Sequence, residues 1–250
     1  MIYNLRHRTT YTYGAPVSFA RCVLRLTPRS SAGQTVLSNS IAITPKPASI
    51  LERTGPFGEL THTVVVDQPH KALVIEARAR VDVHARLIDP DAPSDTWESV
   101  RERAFETDAL GPDGPAAFLY PSVRTPVDPT LTDYVRESFT PGRPIVQAAA
   151  ELMGRMYAEF AYDPEATEVD TPAVEAFAGR RGVCQDFVHI MLSGLRGLGL
   201  PAAYVSGYLR TLPPPGKPRL EGADATHAWL SLWCGPDRGW IGVDPTNAVF

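Results

Sequence analysis

Over the first 85 residues, apolar and polar positions alternate along the chain. RCVLRLTP sets Cys22, Leu24 and Leu26 against Arg21 and Arg25. IYNLRHRTTYTY, SIAITP, THTVVVD and ALVIEARARVDVHA mix β-branched and aromatic residues with polar ones at the same period of two. Between them lie turn-rich pieces, YGAP, TPRSSAGQ, PKPAS, RTGPFGE and DQPHK. Five short strands at this spacing predict an antiparallel sandwich or half-barrel over residues 1–85. Val64, Val65 and Val66 are consecutive, which predicts one strand buried on both faces.

From Pro144 the period lengthens to that of a helix. IVQAAAELMGRMYAEFAY places Ile145, Ala149, Leu152, Met156 and Phe160 near one face, with Pro144 suited to the first turn. DTPAVEAFAGRRG predicts a second helix with Thr171 as N-cap, Pro172 at its first position and Gly179 or Gly182 at its end. CQDFVHIMLSGLRGLG predicts a buried helix ending near Gly199, with Pro201 beyond it. AAYVSGYLR, HAWLSLWC and WIGVDPT predict strands, and GPDRG at 235–239 predicts a hairpin turn between the last two. Residues 145–250 therefore read as helices followed by an antiparallel sheet, which makes the whole chain α+β. Between the halves, Pro90, Pro93, Pro112, Pro115, Pro121, Pro126, Pro129 and Pro141 break residues 86–144 into short pieces. A structureless loop of that length is uncommon in a compact domain. The segment is predicted to cross from one half to the other with short helices at Trp97–Phe105 and Pro129–Ser138.

Composition narrows the function classes. The chain has 250 residues with 44% hydrophobic and 21% charged content, ordinary for a globular protein able to bury a core. A net charge of -4 supplies no basic surface for nucleic acid or anionic membrane. No apolar run approaches the ~20 residues of a membrane span, and MIYNLRHRTTYTY is not a secretory signal. Three cysteines, Cys22, Cys184 and Cys234, make no disulfide framework and no zinc-like pair, which suits a reducing compartment. The expected location is the cytoplasm. His7, His62, His70 and His84 are scattered without paired spacing, and no acidic cluster resembles a calcium loop. No metal and no cofactor are expected.

Candidate chemistry lies in RRGVCQDFVHIM, ATHAWLSLWCG and WIGVDPTN. The first puts Cys184 just inside a helix start, where unpaired backbone N–H groups favour the thiolate. The second puts His227 where a polar loop meets an apolar strand; a histidine titrates near neutrality and is the usual base for a thiol. The third puts Asp244 at the end of the next strand. If GPDRG turns the chain, His227 and Asp244 lie at the same end of the sheet, about one strand spacing apart. Asp244 can then fix the imidazole tautomer, completing a nucleophile, a base and an orienting acid. Taken singly each has a plainer reading: a small buried thiol, a structural histidine and an Asp-Pro turn.

GVCQDFVHIMLSGLRGLGLPAAYVSGYL, THAWLSLW and GWIGVDPTN together resemble the transglutaminase-like superfamily, in its bacterial cysteine-protease-like branch. YTYGAPVSFARCVLRLTPRSSAGQ looks like the β region that precedes the core in that branch. The resemblance is weakest over about 86–130. It implies a papain-like core, a helix bearing Cys184 packed on an antiparallel sheet bearing His227 and Asp244. It also implies acyl transfer through a thioester, onto water or onto an amine. Members usually continue with further strands, so a chain stopping at Phe250 is expected to be a short or truncated member.

Around the triad, the Cys184 N–H is one oxyanion donor and Tyr162 the candidate for the second. Gln185 and Trp229 are candidate cleft residues. Asp186 reads as a helix-start acid. His189, well round the helix from Cys184, reads as a satisfied core histidine, and Cys22 and Cys234 read as inert. The polar loop 211–223 is expected to form a rim admitting water. The expected activity is peptide or isopeptide hydrolysis on a protein or peptide substrate. Amine transfer to glutamine and a non-catalytic binding module are the alternatives. The sequence does not fix the oligomeric state.

Overall fold

Alternation in the first half builds two three-stranded sheets. The computed structural model of the protein describes residues 1–84, 86–107, 110–210 and 226–250. These form two compact units, Met1–Leu87 and Ile88–Phe250. In the first, strands β1 (Ile2–Val17), β2 (Ala20–Leu24), β3 (Gln34–Thr44), β4 (Ser49–Thr54), β5 (Leu60–Val66) and β6 (His70–Val83) follow one another. One sheet has the order β1-β6-β3 and the other β2-β5-β4, with every pairing antiparallel. Leu24, Val64, Val66, Leu73 and Ile75, drawn from both sheets, form the shared core, with Tyr13, Cys22, Ile41 and Ile43 packed against it. This is a small sandwich.

Two details depart from the sequence reading. There are six strands rather than five, because β4 is exposed at every position and has no alternation to betray it. It is held by its ladder to β5, from Ser49 opposite Val65 to Thr54 opposite Leu60. The valine run is not buried on both faces. Val64 and Val66 are buried while Val65, pointing the other way, is half-buried, as a pleated strand with one face on a core requires.

The second unit is built round one helix. Helices α1 (Trp97–Glu106), α2 (Pro129–Arg136), α3 (Ile145–Glu159), α4 (Ala173–Gly179) and α5 (Cys184–Gly197) precede strands β9 (Ala202–Tyr208), β10 (Thr226–Trp233) and β11 (Trp240–Val243). Two-residue strands β7 (Ala161–Tyr162) and β8 (Arg181–Gly182) pair parallel beside α5. The main sheet is antiparallel in the order β11-β10-β9. Val188, Ile190 and Leu195 of α5 are fully buried with Leu200 and Leu230 in a single core.

The proline-rich stretch belongs to this unit and supplies part of its core: Val100, Leu131, Val135 and Phe139 are all buried in it. Its helices start on recognisable caps. Thr96 accepts from the Ser99 N–H, and Asp128 accepts from the N–H groups of Thr130 and Leu131 with Pro129 at the first helical position. At α4 the expected cap shifts by one residue. Pro172 is the N-cap, while the Thr171 hydroxyl accepts from the Glu168 N–H instead and closes the preceding turn.

Helices α5 and α2 approach closely because α5 presents glycine to α2. A Cβ on Gly194 would lie 2.3 Å from Val135 Cγ2 and 2.6 Å from the Leu131 carbonyl oxygen. Since backbone is among the clashing atoms, the site cannot yield by rotating a side chain. Gly194→Ala is therefore expected to destabilise the protein by about 1–3 kcal/mol despite alanine's better helix propensity. The shift in urea midpoint at constant m-value measures it.

Candidate active site

The chain reaches Cys184 through a loop held at Arg180, Gly182 and Val183. Arg180 ends α4 in the left-handed conformation, φ 51°. Its guanidinium lies 4.2 Å from the Phe177 ring centroid, 4.8 Å from that of Phe160 and 5.0 Å from that of Tyr134, and pairs with Glu159 at 3.1 Å. The Arg180 carbonyl accepts from the Ala161 N–H and the Gly182 carbonyl from the Asp163 N–H, which sets Tyr162 beside Gly182. Val183 is extended and caps α5, and Cys184 is the first helical residue, half-buried against the core.

Asp186 locks this entry. It is 1% exposed, and its Oδ2 accepts from the Val183 N–H at 2.8 Å and the Thr167 hydroxyl at 2.6 Å. The carboxylate occupies the space a side chain at residue 182 would need: a Cβ on Gly182 would lie 2.5 Å from Asp186 Oδ2. Gly182 is thus required by a close approach, and Asp186 satisfies an otherwise orphaned donor at the helix start.

His227 and Asp244 come from the hairpin. Gly235 and Gly239 take positive φ in its turn, and the register then runs Trp233 opposite Trp240, Leu232 opposite Ile241 and Leu230 opposite Val243. Ala228, Leu230 and Leu232 point into the core, leaving His227 and Trp229 on the other face. Asp244 follows β11, and His227 Nε2 lies 2.7 Å from its Oδ2. The two side chains are 11% and 10% exposed.

A local turn fixes the carboxylate. Asp244 Oδ1 accepts from the N–H groups of Thr246 and Asn247, and Oδ2 also accepts from Asn247 Nδ2 at 2.7 Å. An ionised carboxylate can only accept, so the network assigns the imidazole proton to Nε2 and leaves the Nδ1 lone pair as the basic site. Among the described residues no hydrogen bond joins the Cys184 thiol to His227. Nucleophile–base contacts are often looser before substrate binds.

The remaining candidates separate. Tyr162 is 58% exposed and lines a cleft of about 300 Å³ with Tyr157, Phe160, Phe187, Pro245 and Thr246. The amide of Gln185, the other candidate cleft residue, donates to the Val169 carbonyl and ties down the segment before α4. Trp229 stacks on His227 with centroids 6.0 Å apart, and its ring covers Gly207 of β9, where a Cβ would lie 2.5 Å from it. It shields the base. Trp233 is core, and Trp240 donates to the Asp113 carbonyl. Burial pushes the His189 imidazole below its ordinary range. The Cys234 thiol is 2% exposed, and burial pushes it up to about 12. Cys22 is half-buried in the first unit. The expected rim, 211–223, lies outside the described residues.

Three contributors escaped the sequence reading. Asn247 could have been sought in DPTN, since an aspartate commonly accepts from N–H groups two and three residues on. Thr167, nineteen residues before its partner Asp186, gives no such signal. Tyr204, opposite Leu230 in β9, lies near the α5 entry. Burial raises its phenol to about 12, and the charges of Cys184 and Asp186 add to the rise.

A helix carrying cysteine, packed on an antiparallel sheet that carries a His–Asp pair, is a core of the papain-like class. The model of the bacterial transglutaminase-like N-terminal region matches residues 3–82, and that of the transglutaminase-like superfamily matches residues 131–245. An uncharacterized protein of Mycobacterium tuberculosis is 37% identical over 255 residues, spanning 98% of this chain and 78% of that protein. A protein-glutamine gamma-glutamyltransferase of Pseudomonas aeruginosa is 32% identical over 120 residues, 48% of this chain and 18% of that protein. The crystal structure of a candidate cysteine protease from Cytophaga hutchinsonii shares the fold, with a TM-score of 0.75 at 21% identity, over 100% of this chain and 80% of that one. The chain belongs to the transglutaminase-like superfamily and carries the N-terminal region of its bacterial members.

Asp186→Ala should leave the Val183 N–H buried without an acceptor and cost roughly 1–3 kcal/mol. Urea unfolding reads the loss. Cys184 alkylation in the folded variant should slow, because the helix start loses the group that fixes it.

Proposed function

We propose that the protein is a thiol-dependent acyl-transfer enzyme acting at amide bonds, and that it resolves its thioester chiefly with water, as a peptide or isopeptide hydrolase. The observation that carries this reading is the 2.7 Å His227–Asp244 contact through Nε2. It reserves Nδ1 as a base, in the same unit as a cysteine at the N-terminus of a 14-residue helix.

In this reading Nδ1 of His227 takes the Cys184 proton, and Asp244 stabilises the imidazolium. The thiolate attacks the amide carbonyl, forming the C–S bond. The oxyanion rests on the Cys184 N–H and on a second donor, for which Tyr162 is the candidate. Collapse breaks the C–N bond, and His227 returns its proton to the departing amine. Water, deprotonated by His227, then cleaves the thioester to acid and thiol. A lysine amine in place of water would give a crosslink. The glutamine-transferring relative, matched over under half of this chain, favours that second outcome as the one to test against hydrolysis. The substrate in either case is a protein or peptide.

The test is alkylation of the three cysteines by iodoacetamide across pH, read residue by residue by mass spectrometry. An activated thiolate at Cys184 reacts down to about pH 5–6. Cys234, its thiol raised to about 12, stays silent until unfolding. His227→Ala should return Cys184 to an ordinary profile near pKa ~8.5. An ordinary profile in the unaltered protein sinks the acyl-transfer reading and leaves a binding module.

A second measurement separates the acceptors. On glutamine-containing and ordinary peptides, release of new termini or ammonia without amine incorporation supports hydrolysis, and incorporation of a labelled amine supports transfer. Cys184→Ala should abolish both. Asp244→Asn should lower kcat by on the order of 10²–10⁴, since the tautomer is lost.

A further inference from the structure

The mechanism above uses only Tyr162 from the cleft formed by Tyr157, Phe160, Tyr162, Phe187, Pro245 and Thr246. At about 300 Å³ it has room for one large side chain. Four aromatic rings, a proline and a threonine line it, and none carries a formal charge. Phe160 and Phe187 are 7% and 3% exposed, whereas Tyr157 and Tyr162 are 59% and 58% exposed. A buried aromatic floor between two open aromatic walls leaves apolar area that an occupant would cover.

The chain ties this cleft to the reacting groups on three sides. Tyr162 pairs with Gly182, two residues before Cys184. Phe187 lies about one turn along α5 from Cys184. Pro245 and Thr246 directly follow Asp244, and the Thr246 N–H is one of the donors holding its carboxylate. An extended peptide advances ~3.3 Å per residue. A side chain seated here would belong to a residue near the amide attacked by Cys184.

We propose that this cleft is a specificity subsite that takes an uncharged, apolar side chain, aromatic or large aliphatic, of the peptide whose amide is attacked. The role as a subsite rests on the acyl-transfer reading; the preference rests on the lining. Among the described residues, no lysine or arginine lines the cleft to pair a substrate carboxylate, and no aspartate or glutamate lines it to pair a substrate cation. Burying a large apolar side chain favours binding over glycine by roughly tenfold or more.

The test is protection of Cys184 from iodoacetamide in the full chain by N-acetyl amides of phenylalanine, leucine, glycine, glutamate and lysine. It is read at about pH 9, where an ordinary thiol also reacts. The phenylalanine and leucine amides should slow alkylation saturably, with half-effects at concentrations roughly tenfold below any effect of the others. Tyr157→Glu, a change on an exposed wall, should abolish that protection when each rate is referred to the same variant's own unprotected rate, and Tyr157→Phe should keep it.

Equal protection by all five amides, protection by none, or protection that survives Tyr157→Glu each overturns the proposal. The pH profile of unprotected Cys184 reports separately on the acyl-transfer reading. An activated profile without selective protection removes the subsite alone, and an ordinary profile with selective protection removes the enzyme while an apolar site beside Cys184 stands.

Discussion

Trp233 faces Trp240 across the β10–β11 hairpin, and the His227–Asp244 pair depends on that register. From that pairing the ladder runs to Leu230 opposite Val243, so Asp244 emerges at the end where β10 begins and within 2.7 Å of His227. Side chains alternate at period two, so a slip of one residue would send Asp244 to the opposite face and Val243 toward solvent. Burial guards against that slip. Leu230, Leu232, Ile241 and Val243 are all core residues, and moving any one of them outward loses apolar burial. The Asx turn after Asp244 and the indole of Trp229 then immobilise the pair. A base works when its orienting partner is itself held.

Cys184 depends on a separate constraint. A helix N-terminus is useful to a thiolate only if the turn entering it is rigid. Here the turn has no side-chain cap of its own, because Val183 has no acceptor to offer. Asp186 reaches back to do that work, and Gly182 makes room for it. Upstream, Arg180 is clasped by three aromatic rings and Glu159. That contact network offsets the cost of a non-glycine residue at positive φ. The same cluster, through Phe160 and Phe187, floors the cleft beside Tyr162. One set of rings therefore supports both the loop entering at Cys184 and the floor of the cleft.

Each unit has its own core, and the cores differ in kind. The N-terminal sandwich is small, drawing five buried residues from both sheets. The second unit is larger and is centred on α5, with glycines letting α2 approach it and with the proline-rich stretch supplying buried residues. Proline there limits the length of the helices without keeping the segment out of the core. Helices α1 and α2 start on capping side chains, and the apolar faces between the breaks are buried.

The sequence by itself determined the elements whose signals are local. Period-two and helical alternation marked strands and helices, GPDRG marked the hairpin turn, and the contexts of Cys184, His227 and Asp244 marked the candidate chemistry. Those signals survive because propensity, turn geometry and a one-sided core all act over a few residues. Tertiary structure decided what no short window contains. Strand β4 exists only because β5 pairs with it. The Gln185 amide found its acceptor in the Val169 carbonyl, sixteen residues away. Thr167 and Tyr204 joined the surroundings of Cys184 through packing rather than spacing. The cleft beside Tyr162 is assembled from α3, β7, α5 and the turn after β11. Its shape is set by where four segments meet, and a chain read in order carries no record of that meeting.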